Sequence, residues 1–136
     1  MNPKLKIIVA VSLWLFGIKP TFAELAIVVN PKNPVSSIAT STLKQIYLGG
    51  SVLFTPLEQD EHSSVHAEFY KKVLEKEPAQ VQAIWAKLVF TARGGAPQVY
   101  QSSTGVKRAL SENVNAIGYI EKSSVDDTVK VIAVIR

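Results

Sequence analysis

Residues 55–69, Thr-Pro-Leu-Glu-Gln-Asp-Glu-His-Ser-Ser-Val-His-Ala-Glu-Phe, constrain the fold most. They read as a short strand over Thr55 to Gln59, a polar turn at Asp60, Glu61 and His62, and the start of an amphipathic helix. Ser63 or Ser64 is placed to cap that helix, which carries Val65, Phe69 and Val73 on one face. A helix start leaves backbone N–H groups unpaired beside the positive end of the peptide dipoles. Serine hydroxyls there add donors, so the junction suits a small oxyanion.

Strand and helix signals alternate on either side. Leu25 to Asn30 is an apolar, β-rich run that reads as a buried strand. Thr40 to Tyr47 reads as a short helix capped by Thr40 or Ser41, with Leu43, Ile46 and Tyr47 on one face and Gly49-Gly50 ending it. Ser51 to Phe54 is a loop in which Leu53 and Phe54 are apolar anchors. Pro78 opens a helix in which Val81, Ile84, Trp85, Leu88 and Val89 form a single stripe, with Trp85 in the core. After a glycine-rich loop around Arg93 and an extended piece at Gln98 to Gln101, Ser102-Ser103-Thr104 caps a second helix. Ala116 to Ile120 and Val129 to Ile135 read as strands, and Gly118 marks a close backbone approach. This alternation predicts an α/β domain with a mixed sheet, whose ligands gather outside the strand ends.

The first 23 residues read differently. Lys4 and Lys6 precede a 12-residue apolar run, Ile7 to Ile18, and small residues surround Ala23. This is the pattern of a secretory signal peptide, and the run is short for a membrane span. Residues 24–136 would then form the mature domain. Loss of Lys4, Lys6 and Lys19 takes the 15 basic groups to 12 against 11 acids, leaving no basic excess that would argue for nucleic acid. The chain has no Cys, so neither a disulfide framework nor a lipidated cysteine anchor is available. A periplasmic location is expected, with secretion as the second choice.

Asn30-Pro-Lys-Asn-Pro-Val35, Leu43-Lys-Gln-Ile-Tyr-Leu-Gly49, the 55–69 stretch, Gly105-Val106 and Ala116-Ile-Gly-Tyr-Ile-Glu121 together resemble the phosphate-binding periplasmic proteins of ABC importers. Members of that family have two lobes that close on phosphate, whereas this chain has room for one and resembles the second. The resemblance implies a single lobe of the type II periplasmic-binding-protein fold, a mixed sheet flanked by helices. The family's second lobe offers an Arg, an Asp and a Ser-Gly-Thr at a helix start. Matched on Phe69, those positions hold Gln59, Glu61, Ser63, Ser64 and Val65, so Ser63 alone is retained. The lost arginine removes a two-pronged phosphate contact, for which Arg93 or His66 would have to substitute.

The implied ligand-binding set is Ser63, Ser64, Arg93, Ser102, Ser103 and Thr104, with Gln59 and Glu61 at the family's charged positions. The implied role is an exported phosphate-type solute-binding module serving an ABC importer or a sensor. The alternative is a lobe that has lost its ligand and works as an envelope interaction module. A homodimer is one way to rebuild the missing cleft wall. Neither a cofactor nor a metal is expected: His62 and His66 are four apart, but the turn at His62 and Ser63 departs from the zinc-protease pattern. No enzyme is expected either. Ser63 and Ser64 lack a nucleophile elbow, and Glu58 with Glu61 reads as a pair of exposed loop acids rather than a hydrolytic pair.

Overall fold

The computed structural model describes residues 24–49 and 52–136, so the expected signal peptide and the Gly50-Ser51 step lie outside the described residues. The chain runs β1 (Leu25–Val29), α1 (Thr40–Tyr47), β2 (Thr55–Gln59), α2 (His66–Phe69, continuing as a π-helical turn, Tyr70–Leu74), α3 (Pro78–Phe90), β3 (Gln98–Tyr100), α4 (Ser103–Glu112), β4 (Ala116–Glu121) and β5 (Lys130–Ile135). The five strands form one mixed sheet in the order β3-β2-β4-β1-β5. Strand β2 is parallel to β3 and β4, while β1 is antiparallel to β4 and β5.

Strand β1 shows why the sheet sits between two layers. All five of its residues are fully buried. Leu25, Ile27 and Val29 point to one core, with α1, α2 and α3; Ala26 and Val28 point to the other, with α4. A strand alternates faces with a period of two, so an unbroken apolar run needs cover on both sides. Tyr47, Phe69 and Tyr119 fill the first core, with the Phe69 and Tyr119 rings stacked at 3.9 Å. Trp85 is buried there, and its Nε1 donates to Tyr47 O at 2.8 Å, tying α3 to α1.

In the second core α4 presses directly on β4. A Cβ built on Gly118 would meet Val106 Cγ1 at 2.6 Å, so glycine is what lets helix and strand approach.

Several expected details differ. Ala39 is the N-cap of α1, and Thr40 and Ser41 already lie within the helix, so neither caps it. Helix α2 starts at His66 with Val65 as N-cap and no side-chain cap, so Ser63 and Ser64 do not cap it. Asp60 Oδ1 instead accepts from His62 N at 2.9 Å, and Ser63 N bonds Asp60 O at 2.9 Å. These local bonds hold the turn closed before the helix begins. Helix α3 has the expected Pro start and a Glu77–Gln80 capping box. Its stripe ends at Leu88, however, and Val89 and Phe90 are exposed in a last turn that the core does not cover. Leu53 is exposed too, while Phe54 packs against the core as expected.

Candidate functional site

Because β2, β3 and β4 run parallel, their carboxyl ends meet at one edge of the sheet. Gln59, Tyr100 and Glu121 lie there, followed by the start of α2 and the start of α4. Asp60 N donates to Tyr100 O at 2.8 Å and pins the two strand exits together.

Gln59 is 2% exposed. Its Nε2 donates to Ser103 Oγ at 3.1 Å and to the Tyr119 carbonyl at 3.0 Å. Ser103, the first residue of α4 and itself 8% exposed, also accepts the Glu121 backbone N–H at 3.3 Å. The Glu121 side chain turns the other way, where its Oε1 accepts from Ser64 Oγ at 2.7 Å. Glu121 thus bridges the two helix starts. Ser102 caps α4 as expected, accepting from Gly105 N at 3.5 Å. Ser103 N and Thr104 N have no partner among the described residues, as first-turn amides of a helix do not. Ser63 Oγ is buried with no hydrogen-bond partner among the described residues. The junction therefore gathers donors, but its charge is negative: Glu121 and Asp60 are half-buried and Glu61 is exposed.

The remaining expected residues are not drawn in. Glu61 lies 3.5 Å from His62, both on the outside of the turn. Arg93 is exposed, its N–H bonds Leu88 O, and its guanidinium makes no hydrogen bond or ion pair among the described residues. His66 is buried, with its ring stacked 4.2 Å from Tyr70. Among the described residues, no group of three or more metal-binding side chains forms. A hollow of about 950 Å³, open to solvent, is lined by Glu61, His62, His66, Tyr70 and Lys76 together with the first residues of α3.

Glu58 corrects the sequence reading. It is no exposed loop acid: it is 2% exposed on β2. Its carboxylate accepts from Tyr70 Oη at 2.7 Å and from the Tyr119 hydroxyl. Burial first, and the Glu58 charge second, push the Tyr47, Tyr70 and Tyr119 phenols well above their ordinary range. Glu121 was missed too. The signal for it was topological: a strand parallel to β2 must end beside Gln59.

No family model matches the chain, and no curated protein is found to match it. Solved structures do match. A Clostridium perfringens protein described as a phosphate ABC transporter substrate-binding protein, solved with bound phosphate, has a TM-score of 0.66 and 22% identity; the match covers 89% of this chain and 50% of that one. An ABC-type phosphate transport receptor from Vibrio cholerae has a TM-score of 0.64 and 25% identity, covering 83% and 47%. PstS from Borrelia burgdorferi has a TM-score of 0.60 and 16% identity, covering 84% and 49%. The first two are named for phosphate transport. This chain spans about half the length of each and has the fold of one such half, a mixed sheet flanked by helices.

Proposed function

We propose that the protein is an exported solute-binding module for phosphate or a similar oxyanion, acting at the edge where β2, β3 and β4 end. Its partner would be an ABC importer or a sensor in the periplasm. The observation that carries this reading is the set of unspent donors at one junction: the Ser63 hydroxyl, the Ser103 hydroxyl proton and the first amides of α4. Both lone pairs of Ser103 Oγ are taken, so its proton is left to donate. Donors that are buried or half-buried without acceptors are costly unless something arrives to accept from them.

Calorimetric titration of the mature domain with phosphate, and with sulfate in parallel, tests the proposal. Heat on phosphate addition is expected, with thermal stabilisation that grows with ligand concentration, about 2.7 kcal/mol at a hundredfold excess over Kd. Silence with both ions would sink it.

One pair of observations favours a second reading, an envelope interaction module without a ligand. Gln59 stands where the resembled family has arginine, and the Glu121 carboxylate is bonded to Ser64 inside the donor cluster. A carboxylate there repels an incoming anion. Under this reading another protein covers the strand ends, and a pull-down recovers it while calorimetry stays flat. A homodimer is the special case in which that cover is a second copy, visible as a doubled mass in solution.

A further inference from the structure

Gln59 sits at the centre of the junction, and its amide has only one workable orientation. The Tyr119 carbonyl, 3.0 Å from Nε2, can only accept. Turning the amide over would set two oxygens against each other at a position that is 2% exposed. The Nε2 group therefore faces Tyr119, and its second proton goes to Ser103 Oγ at 3.1 Å. The Glu121 N–H occupies the other lone pair of that hydroxyl. With both lone pairs filled from inside the fold, the Ser103 proton has no acceptor among the described residues.

We propose that Gln59 is a positioning residue: held by the Tyr119 carbonyl, it commits the Ser103 hydroxyl to act as an outward donor at the start of α4. The inference rests on the oxyanion reading for its ligand, although the hydrogen-bond orientation exists without one. A hydroxyl free to rotate divides its time between donating and accepting. One fixed from behind presents its proton permanently, which favours an acceptor-only ligand over water. In this role Gln59 never needs to touch the ligand. That separates it from an arginine, which would meet the oxyanion directly and bring charge.

Two measurements test this. In the ligand-free protein, both Gln59 side-chain amide protons should exchange slowly in NMR, and Ser103→Ala should speed exchange of one of them. Free-amide exchange of both protons in the wild type would overturn the orientation. The second measurement is inorganic phosphate titration of wild type, Gln59→Leu, Ser103→Ala and the double variant, with circular dichroism confirming that each is folded. Gln59→Leu should weaken binding about tenfold, and the double variant should bind no worse than Ser103→Ala, because the effect runs through that hydroxyl. Additive losses would refute the positioning role while leaving the oxyanion reading intact. Absence of phosphate binding in the wild type would defeat the oxyanion reading, and the exchange experiment would still decide the orientation. If Gln59→Leu does not fold, the wild-type exchange measurement carries the test.

Discussion

Tyr70 Oη donates to Glu58 Oε2 across 2.7 Å, joining the π-helical turn to the carboxyl end of β2. Tyr119 donates to the other carboxylate oxygen. A buried carboxylate without a cation partner depends on such donors. Tyr70→Phe leaves one oxygen with fewer bonds and should cost about 2 kcal/mol, read as a lower midpoint in urea unfolding. Glu58→Leu should cost at least as much, since it strands two phenol hydroxyls. Adding Tyr70→Phe to Glu58→Leu should recover part of the loss, because the Tyr70 hydroxyl is then no longer stranded, while Tyr119 Oη remains to accept from the Gln59 N–H at 3.2 Å. A double variant less stable than Glu58→Leu alone would refute this account.

The same cluster fixes the alkaline behaviour. Burial, and then the Glu58 charge, raise the Tyr47, Tyr70 and Tyr119 phenols. A group whose folded pKa is raised lends stability that is fully present below its unfolded pKa, about 10 for tyrosine, and is lost as pH climbs above it. Stability should therefore fall steadily in that alkaline range. Phenolate absorbance from these three residues should appear together with the loss of helical dichroism. Their ionisation while the dichroism is still native would contradict the burial argument.

The layered fold was legible because it rests on local signals. The unbroken apolar run of β1 demanded cover on both faces, and the stripe through Val81 and Trp85 predicted a helix lying on a core. The site was less legible because its contacts are long-range. Glu58 follows Pro56 in a short polar strand and reads as exposed. Its burial depends on tyrosines 12 and 61 positions further on. Ser64 reads as a helix cap by composition, yet its hydroxyl serves Glu121, 57 residues away. The Ser102 cap was read correctly because the acceptor of that bond and its donor, Gly105, lie within one turn. Arg93 stood out only as an isolated charge, and its position at the end of α3 comes from how that helix leaves the core, which no local pattern encodes.

Gly118→Ala tests the contact between α4 and β4. The new methyl group would meet Val106 Cγ1 at 2.6 Å, with Leu57 close behind. Overpacking of this kind should cost about 1–3 kcal/mol. Val106→Ala opens the space the methyl needs, so the double variant should be destabilised by less than the two single losses combined. Thermal unfolding of the four proteins measures the coupling, and simple additivity would place the strain elsewhere.

Ser63→Ala separates structure from binding. Because Ser63 Oγ caps no helix and has no partner among the described residues, its removal should leave stability unchanged or slightly higher. If the junction takes an oxyanion, the same change should weaken phosphate binding by about 1 kcal/mol, roughly fivefold in Kd. A clear loss of stability would show that the hydroxyl has a structural partner. Unchanged affinity would remove Ser63 from the site.

Glu121→Gln addresses the charge at the centre of the junction. The carboxylate is bonded to Ser64, and its backbone N–H holds Ser103. The substitution keeps the backbone bond and leaves a side-chain oxygen for Ser64, but removes a negative charge from the path of the ligand. At the distances of such a cluster, a like charge near the surface opposes an anion by an amount on the order of 1–4 kcal/mol. Affinity for phosphate should therefore rise at least several-fold. The wild type should bind more weakly as pH rises and phosphate takes on its second charge, and the variant should flatten that dependence. If the strand ends instead serve a protein partner, Glu121→Gln leaves the protein as silent to phosphate as before and alters the pull-down instead. A calorimetric pH series on the two proteins distinguishes the outcomes, and a variant that binds phosphate more weakly than wild type would show that Glu121 accepts from the ligand rather than repelling it.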